Sequence, residues 1–292
     1  NVVIGDPAHP DLVADWVEVH TDVSLSGVSV TGISGGHVRL RGKLVDGHLS
    51  LGSIDKLLPA PSGKPFSFPA LNVDVADARM HLDTPYGVVG LKASGAGRLD
   101  DGFHGQVAAV SPRISVAGCA IERAAAVVDL RINDQRPTIK GPLRAASATC
   151  GDVVAKRVAT RIDATLGERF DRWKGQAELS LADVDAKQAS AKQLSGNVTF
   201  SGGPQRTDGT IEIETADFAT SPLTGGAAHI AGRYRTGSEG NRFAGTVSAD
   251  RAALSRALLA RARTLGDSAN GTPVAPLLEK LGQAAASAGK RF

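Results

Sequence analysis

One recurring unit constrains this chain more than anything else in it. An alternating apolar–polar stretch runs into a Gly-containing turn, and a second alternating stretch runs back. It reads Gly42-Lys-Leu-Val-Asp-Gly-His-Leu-Ser-Leu-Gly52, and again Gly97-Arg-Leu-Asp-Asp-Gly-Phe-His-Gly-Gln-Val107. A third copy joins Gly196–Phe200 to Thr210–Glu214, with the turn placed at Asp208-Gly209. A fourth joins Ile230–Tyr234 to Phe243–Val247 through Ser238-Glu-Gly240. Alternation with a period of two puts successive side chains on opposite faces of a strand. Asp-Gly and Gly-rich breaks are the chemistry of tight hairpins.

The alternation persists along the chain. Val17, Val19, Val23 and Leu25 point one way, and Glu18, His20, Asp22 and Ser24 the other. At Gly27 the phase breaks, which predicts a bulge or bend. Val128, Leu130 and Ile132 alternate with Asp129, Arg131 and Asn133; Leu179 and Leu181 with Glu178 and Ser180; Ile211 and Ile213 with Glu212 and Glu214. One face is aliphatic and the other charged or hydroxylic, as in antiparallel strands with one wet side. Residues 1–15, with two prolines and no clear period, read as an irregular lead-in. Residues 56–70 carry four prolines and read as a loop, because proline cannot donate to a central ladder. After Ser248 the period lengthens: Leu254, Leu258, Ala262 and Leu265 predict a helix, and a second is expected after Pro273. The expected organisation is a β domain over 1–249 and a helical segment over 250–292.

Composition limits the function classes. Hydrophobic residues make up 42% of the 292, but aromatic residues only 4%, so the apolar mass is aliphatic. A net charge of +3 with evenly mixed signs gives no footprint for nucleic acid. Cys119 and Cys150 suit one disulfide in an oxidising compartment, with two separate buried thiols as the other reading. Closing such a loop contributes roughly 3–4 kcal/mol in the chain-entropy model. No stretch reaches the roughly 20 apolar residues of a membrane-spanning helix. The chain starts without Met and without a signal-like segment, and reads as a piece of something longer.

Catalytic vocabulary is thin. No His lies close in sequence to another His or to a Cys, and there is no Cys-x-x-Cys, so no metal site is expected. There is no Gly-x-Ser-x-Gly elbow. The glycine clusters at 32–36 and 95–97 lack the strand–turn–helix setting and the Lys-Ser/Thr of a phosphate loop. No enzyme activity and no cofactor are expected. The aliphatic face remains, as a packed core or as a groove for acyl chains.

The stretch Asp77–Phe103, together with Gly196-Asn-Val-Thr-Phe-Ser-Gly202 and Gly42-Lys-Leu-Val-Asp-Gly-His-Leu49, resembles the AsmA-like proteins, in particular their YdbH-type branch. The resemblance spans most of residues 16–249 and rests on repeated texture, not on a catalytic motif. It implies a long bent β-sheet with a hydrophobic inner face. It also implies a place in the periplasm of a Gram-negative envelope, anchored to the inner membrane through a segment absent from this chain, and phospholipid movement between inner and outer membranes. TamB and YhdP are relatives of that group. Phospholipid acyl chains, and an outer-membrane or envelope protein, are the partners it implies.

The fold expected is therefore all-β: a long, bent, mainly antiparallel sheet of roughly 15–20 strands. It forms a taco-like groove or open barrel, followed by one or two short C-terminal helices. The inward, lipid-facing residues are expected to be Val17, Val19, Val23, Leu25, Val128, Leu130, Ile132, Leu179, Leu181, Ile211 and Ile213. The competing expectation is a structural or interaction module of the envelope with a filled core.

Overall fold

The computed structural model of the chain describes residues 1–24, 27–45, 48–57, 67–116, 118–220, 223–250 and 253–254. Leu25 lies outside the described residues, and so does most of the segment expected to be helical.

Every strand belongs to one open, mainly antiparallel sheet. Its larger part is a meander: β7 (Asn72–Thr84), β8 (Gly87–Arg98), β9 (Phe103–Val116), β10 (Cys119–Asn133), β11 (Arg136–Cys150), β12 (Val153–Leu166), β13 (Trp173–Ala186), β14 (Ala189–Gly202), β15 (Arg206–Thr220), β16 (Leu223–Gly237) and β17 (Arg242–Asp250). Each strand pairs antiparallel with the next. Strands of about 14 residues extend about 45 Å at about 3.3 Å per residue. The two-residue β18 (Ala253–Leu254) pairs with the start of β16. This places Ala253 and Leu254, inside the segment expected to be helical, in extended backbone.

The N-terminal part is built differently. β1 (Val2–Asp6) and β2 (His9–Ala14) form a hairpin where the sequence suggested an irregular lead-in. The register slips at Gly5, opposite Pro10, which hides the period. β2 runs on into β3 (Trp16–Ser24), and its antiparallel partner is β4 (Gly27–Gly36) continued by β5 (Val38–Val45). Gly27, with φ 126°, thus pairs with Ser24 at a hairpin end; the bulge lies further on, between His20 and Thr21. β6 (His48–Ser50) closes the hairpin expected around Asp46-Gly47. The pair β4–β5 then lies parallel to β7, Gly32–Gly35 against Asn72–Val75 and Val38–Lys43 against Ala78–Asp83. A parallel partner requires a crossover, and the described chain leaves β6 through a 3-10 turn at Gly52–Leu57.

The third hairpin turns earlier than expected. β14 ends at Gly202, and the chain reverses through Gly203, whose amide donates to the Arg206 carbonyl at 2.8 Å. Asp208 and Gly209 sit within β15. Gly202-Gly203-Pro204 was the stronger turn signal.

A line of left-handed residues crosses the meander. Arg123, Arg157, Asp183 and Asp217 have φ between 46° and 51°. By register, Arg123 and Arg157 flank Ala146 of β11, and Asp183 and Asp217 flank Lys192 of β14. Arg157 meets Asp183 at 3.0 Å, and Lys192 meets Asp217 at 3.8 Å. Left-handed backbone is costly for the two arginines and better tolerated by the two aspartates, and a row of kinks bends a sheet across its strands. The burial alternation skips a beat there: Glu122-Arg123, Lys156-Arg157 and Lys192-Gln193 are consecutive exposed pairs. Cys119 and Cys150 face each other across β10–β11 and form a disulfide, their Cα atoms 4.1 Å apart.

Candidate functional site: the aliphatic face

Residues directly opposite one another in neighbouring strands share a face. Following the register from strand to strand gives one row: Leu12, Leu40, Met80, Leu91, Ala109, Ala126, Leu143, Thr160, Leu179, Gly196, Ile213, Ile230, Val247. It runs from β2 to β17, about 58 Å at about 4.8 Å per strand. Its only polar member is Thr160, whose buried hydroxyl has no hydrogen-bond partner. Two parallel rows follow it in succession, both on the side toward the C-terminal end of β10. One holds Val38, Ala78, Ala93, Val107 and Val128, and across the sheet Ile162, Ala177, Val198 and Ile211. The other holds Val17, Gly35, Val75, Gly95, Gly105, Leu130, Ile139, Ala164, Gly175 and Phe200.

The strands contact chiefly their hydrogen-bonded neighbours, so this face is a single layer and not half of a sandwich. Its residues are mostly half-buried while those of the other face are exposed. Among the described residues full burial is rare: Ile132 is 2% and Ile213 9% exposed, and Ala14, Pro137, Ala155, Ala164 and Ala191 are also buried.

Most of the described aromatics gather at one end of the strands, with Tyr86 and Phe218 at the other. Phe103, Trp173, Phe200, Tyr234 and Phe243 lie next to the turns at 99–102, 167–172, 203–205 and 238–241, and Phe68 packs edge-on against Phe170 at 5.8 Å there. Several rings lie over glycines of the adjacent strand. A Cβ on Gly95 would meet the Phe103 ring at 2.6 Å, one on Gly175 the Phe200 ring at 2.8 Å, and one on Gly209 the Tyr234 ring at 2.7 Å. Glycine is required where a ring covers the backbone this closely. The Tyr234 hydroxyl donates to the Thr199 carbonyl at 3.0 Å, and Trp173 Nε1 to Thr207 Oγ1 at 3.1 Å. Toward the opposite end alanine takes over, with Ala145, Ala155, Ala191 and Ala228.

The outer face and the aromatic lip carry the charge. Lys140 pairs with Asp163 at 3.0 Å and Arg136 with Glu168 at 3.1 Å. The guanidinium of Arg206, then that of Arg235, both at 2.7 Å, hold the Asp208 carboxyl below the usual carboxylate range. Arg98 does the same for Asp100 at 2.6 Å. No cluster of three or more His, Cys, Asp or Glu side chains able to hold a metal occurs among the described residues.

The residues expected on the inner face all fall on one face by register, Leu25 apart. Val128, Leu130, Ile132, Leu179, Leu181, Ile211 and Ile213 are half-buried or buried. Val17, Val19 and Val23 are exposed at 36%, 51% and 75%. They sit on the edge strand β3, whose only described partner is β4. Sequence reasoning passed over Met80, Leu91, Val107, Leu143, Val198 and Ile230 as lining residues, although each keeps the same alternation. It also passed over the aromatic end, which emerges once the turns are located.

Fold and face together define a class: an open, single-layer β-sheet protein that presents one apolar face, interrupted in its central row only at Thr160. The chain belongs to the YdbH-like family, whose model, described as intermembrane phospholipid transport protein YdbH, matches residues 1–291. No curated protein and no solved structure matches it. No helix among the described residues is long and apolar enough to cross a membrane.

Proposed function

We propose that this chain is the lipid-binding part of a periplasmic, bridge-like protein that conducts phospholipids between the inner and outer membranes along an aliphatic groove. The supporting observation is the apolar row from Leu12 to Val247, uninterrupted but for Thr160. Along β13, Leu181, Leu179, Ala177, Gly175 and Trp173 stand in successive rows about 6.7 Å apart, so the apolar band is roughly 27 Å wide. That exceeds the roughly 15 Å of one leaflet's hydrocarbon, half of a roughly 30 Å core. Acyl chains fit within it while head groups stay outside. Each methylene removed from water contributes about 0.8 kcal/mol, and a row of near-equivalent aliphatic residues gives a bound lipid no single deep well. Movement along the face is then passive and weakly selective for the head group.

The test is native mass spectrometry of the purified chain before and after delipidation, with uptake of a fluorescent phospholipid. Bound phospholipid and saturable uptake are expected. A chain that carries none and takes up none sinks the reading, and leaves a structural envelope module in its place.

A further inference from the structure

The outer face is charge-balanced across most of the meander. Lys140 lies opposite Asp163, Arg161 opposite Glu178, and Arg113 opposite Glu122. One region breaks the pattern. On the back of the parallel join, Arg39, Arg79 and Lys92 lie directly opposite one another across β5, β7 and β8. Arg41 and His81 form the next row. Like charges directly opposite one another destabilise a sheet. Asp77 is shared between Arg79 at 3.3 Å and Lys92 at 3.5 Å, and His81 reaches Asp83 at 3.3 Å. Arg39 has no ion pair or hydrogen bond among the described residues.

The guanidinium groups of Arg39, Arg41 and Arg79 and the Lys92 ammonium rim a depression of about 550 Å³ with an apolar floor. Val13 continues the first row beside Arg39, and Ala108 continues it beyond Lys92. Gly90 and Val110 continue the second, and Val110 is 59% exposed. Gly90 helps keep the floor low, since a Cβ there would meet Val110 Cγ2 at 3.3 Å.

We infer that this depression is a docking site for an extended, acidic polypeptide segment of a partner protein, carrying an aliphatic or aromatic side chain among its carboxylates. The geometry separates this ligand from other anions. Arg39 and Arg41 are two residues apart on one strand, about 6.7 Å, the spacing of carboxylates at alternate positions of an extended peptide. A free phosphate would leave the Val13, Ala108 and Val110 floor unused. A bilayer surface is too broad to enter a hollow of this size. The charge match also steers association, with a strong dependence on ionic strength.

The experiment uses the full 292-residue chain and a fluorescein-labelled peptide, Glu-Glu-Leu-Glu-Glu, read by fluorescence anisotropy. Binding is expected, weakening at least tenfold between 50 and 200 mM NaCl, by analogy with other multiply charged contacts. The double variant Arg39→Glu/Lys92→Glu should weaken it at least about tenfold (about 1.4 kcal/mol). Lys140→Glu should leave it unchanged, and circular dichroism of each variant reports the sheet. Fluorescent-lipid uptake should be the same in all three, so this inference and the groove reading fail separately. Equal peptide binding by the double variant overturns the inference. So does failure to bind the peptide while phosphatidylglycerol vesicles capture the chain through the same two residues.

Discussion

The hairpin β3–β4 and the middle of the meander, β9 to β15, carry the same alternation and place their aliphatic side chains on the same face. They differ in cover. Val17, Val19 and Val23 are exposed at 36–75%, whereas Ile132 and Ile213 are buried at 2% and 9%. β3 has one described partner, and only Gly32–Gly35 of β4 reach β7. Each strand between β9 and β15 is flanked on both sides. Which face a residue occupies is set by its own strand; how much water it sees is set by the neighbours. A sequence pattern can specify the first without specifying the second.

The sharpest test of that contrast is an acidic substitution in each region. Ile132→Asp puts a carboxylate where no water reaches, and is expected to destabilise the chain by roughly 4 kcal/mol or more. A denaturant titration should show the midpoint falling steeply or the fold lost. Val19→Asp should shift the same midpoint by no more than about 0.5 kcal/mol. Equal effects at the two sites would remove the distinction. The half-buried Leu179 separates groove from core more finely. Leu179→Asp is expected to leave a folded sheet, costing roughly 1–2 kcal/mol, while fluorescent-lipid uptake falls several-fold.

The disulfide gives the next effect. It joins neighbours across β10–β11 with a sequence separation of 31. Cys119→Ser/Cys150→Ser should cost about 3–4 kcal/mol by the chain-entropy model, read as a midpoint shift under non-reducing conditions. Because it lies at the alanine end, lipid uptake should persist. At the aromatic end, Gly175→Val forces a side chain against the Asp163 carbonyl as well as into the Phe200 ring, 2.8 Å from the new Cβ, and should cost roughly 1–3 kcal/mol; because the backbone overlap remains, pairing it with Phe200→Ala should recover only a small part, as a double-mutant cycle would reveal. The smallest effect is electrostatic. Asp208 is depressed by its two arginines, so its contribution is present above the ordinary carboxylate pKa and is lost as pH falls through its lowered value. The β14–β16 lip should therefore loosen only below about pH 4. Hydrogen exchange at Thr207–Gly209 across an acid series checks this, and Asp208→Asn should abolish the dependence.

The strands and their inward faces were legible because a period of two is a local property, written in adjacent residues such as Val128-Asp129-Leu130-Arg131. The partners of each strand were not. Nothing in Val38–Lys43 marks the ladder to β7 as parallel, because hydrogen-bond direction leaves no periodic trace. Asp208-Gly209 looked like a turn because the same dipeptide serves hairpins; here Gly209 lies under the Tyr234 ring and Asp208 holds two arginines. The line of kinks was hidden for a related reason. Arg123 and Arg157 are poor residues for left-handed backbone, so the bend is imposed by the assembled sheet. The aromatic end required knowing the turns first, after which Phe103, Trp173, Phe200, Tyr234 and Phe243 fall into place.

The meander has a consequence for how the chain comes together. From β7 onward each strand needs only the strand before it, so contacts are short in sequence and the sheet can zip up in the order in which it is synthesised or exported. The parallel join is the exception. β4 and β5 must wait for β7, beyond a crossover whose closure costs chain entropy before any ladder bond forms. Until then the hairpin β3–β4 is a free ribbon with an apolar side. Assembly of this molecule is thus a fast local propagation from β7 onward, joined to the N-terminal strands by one slow, non-local step.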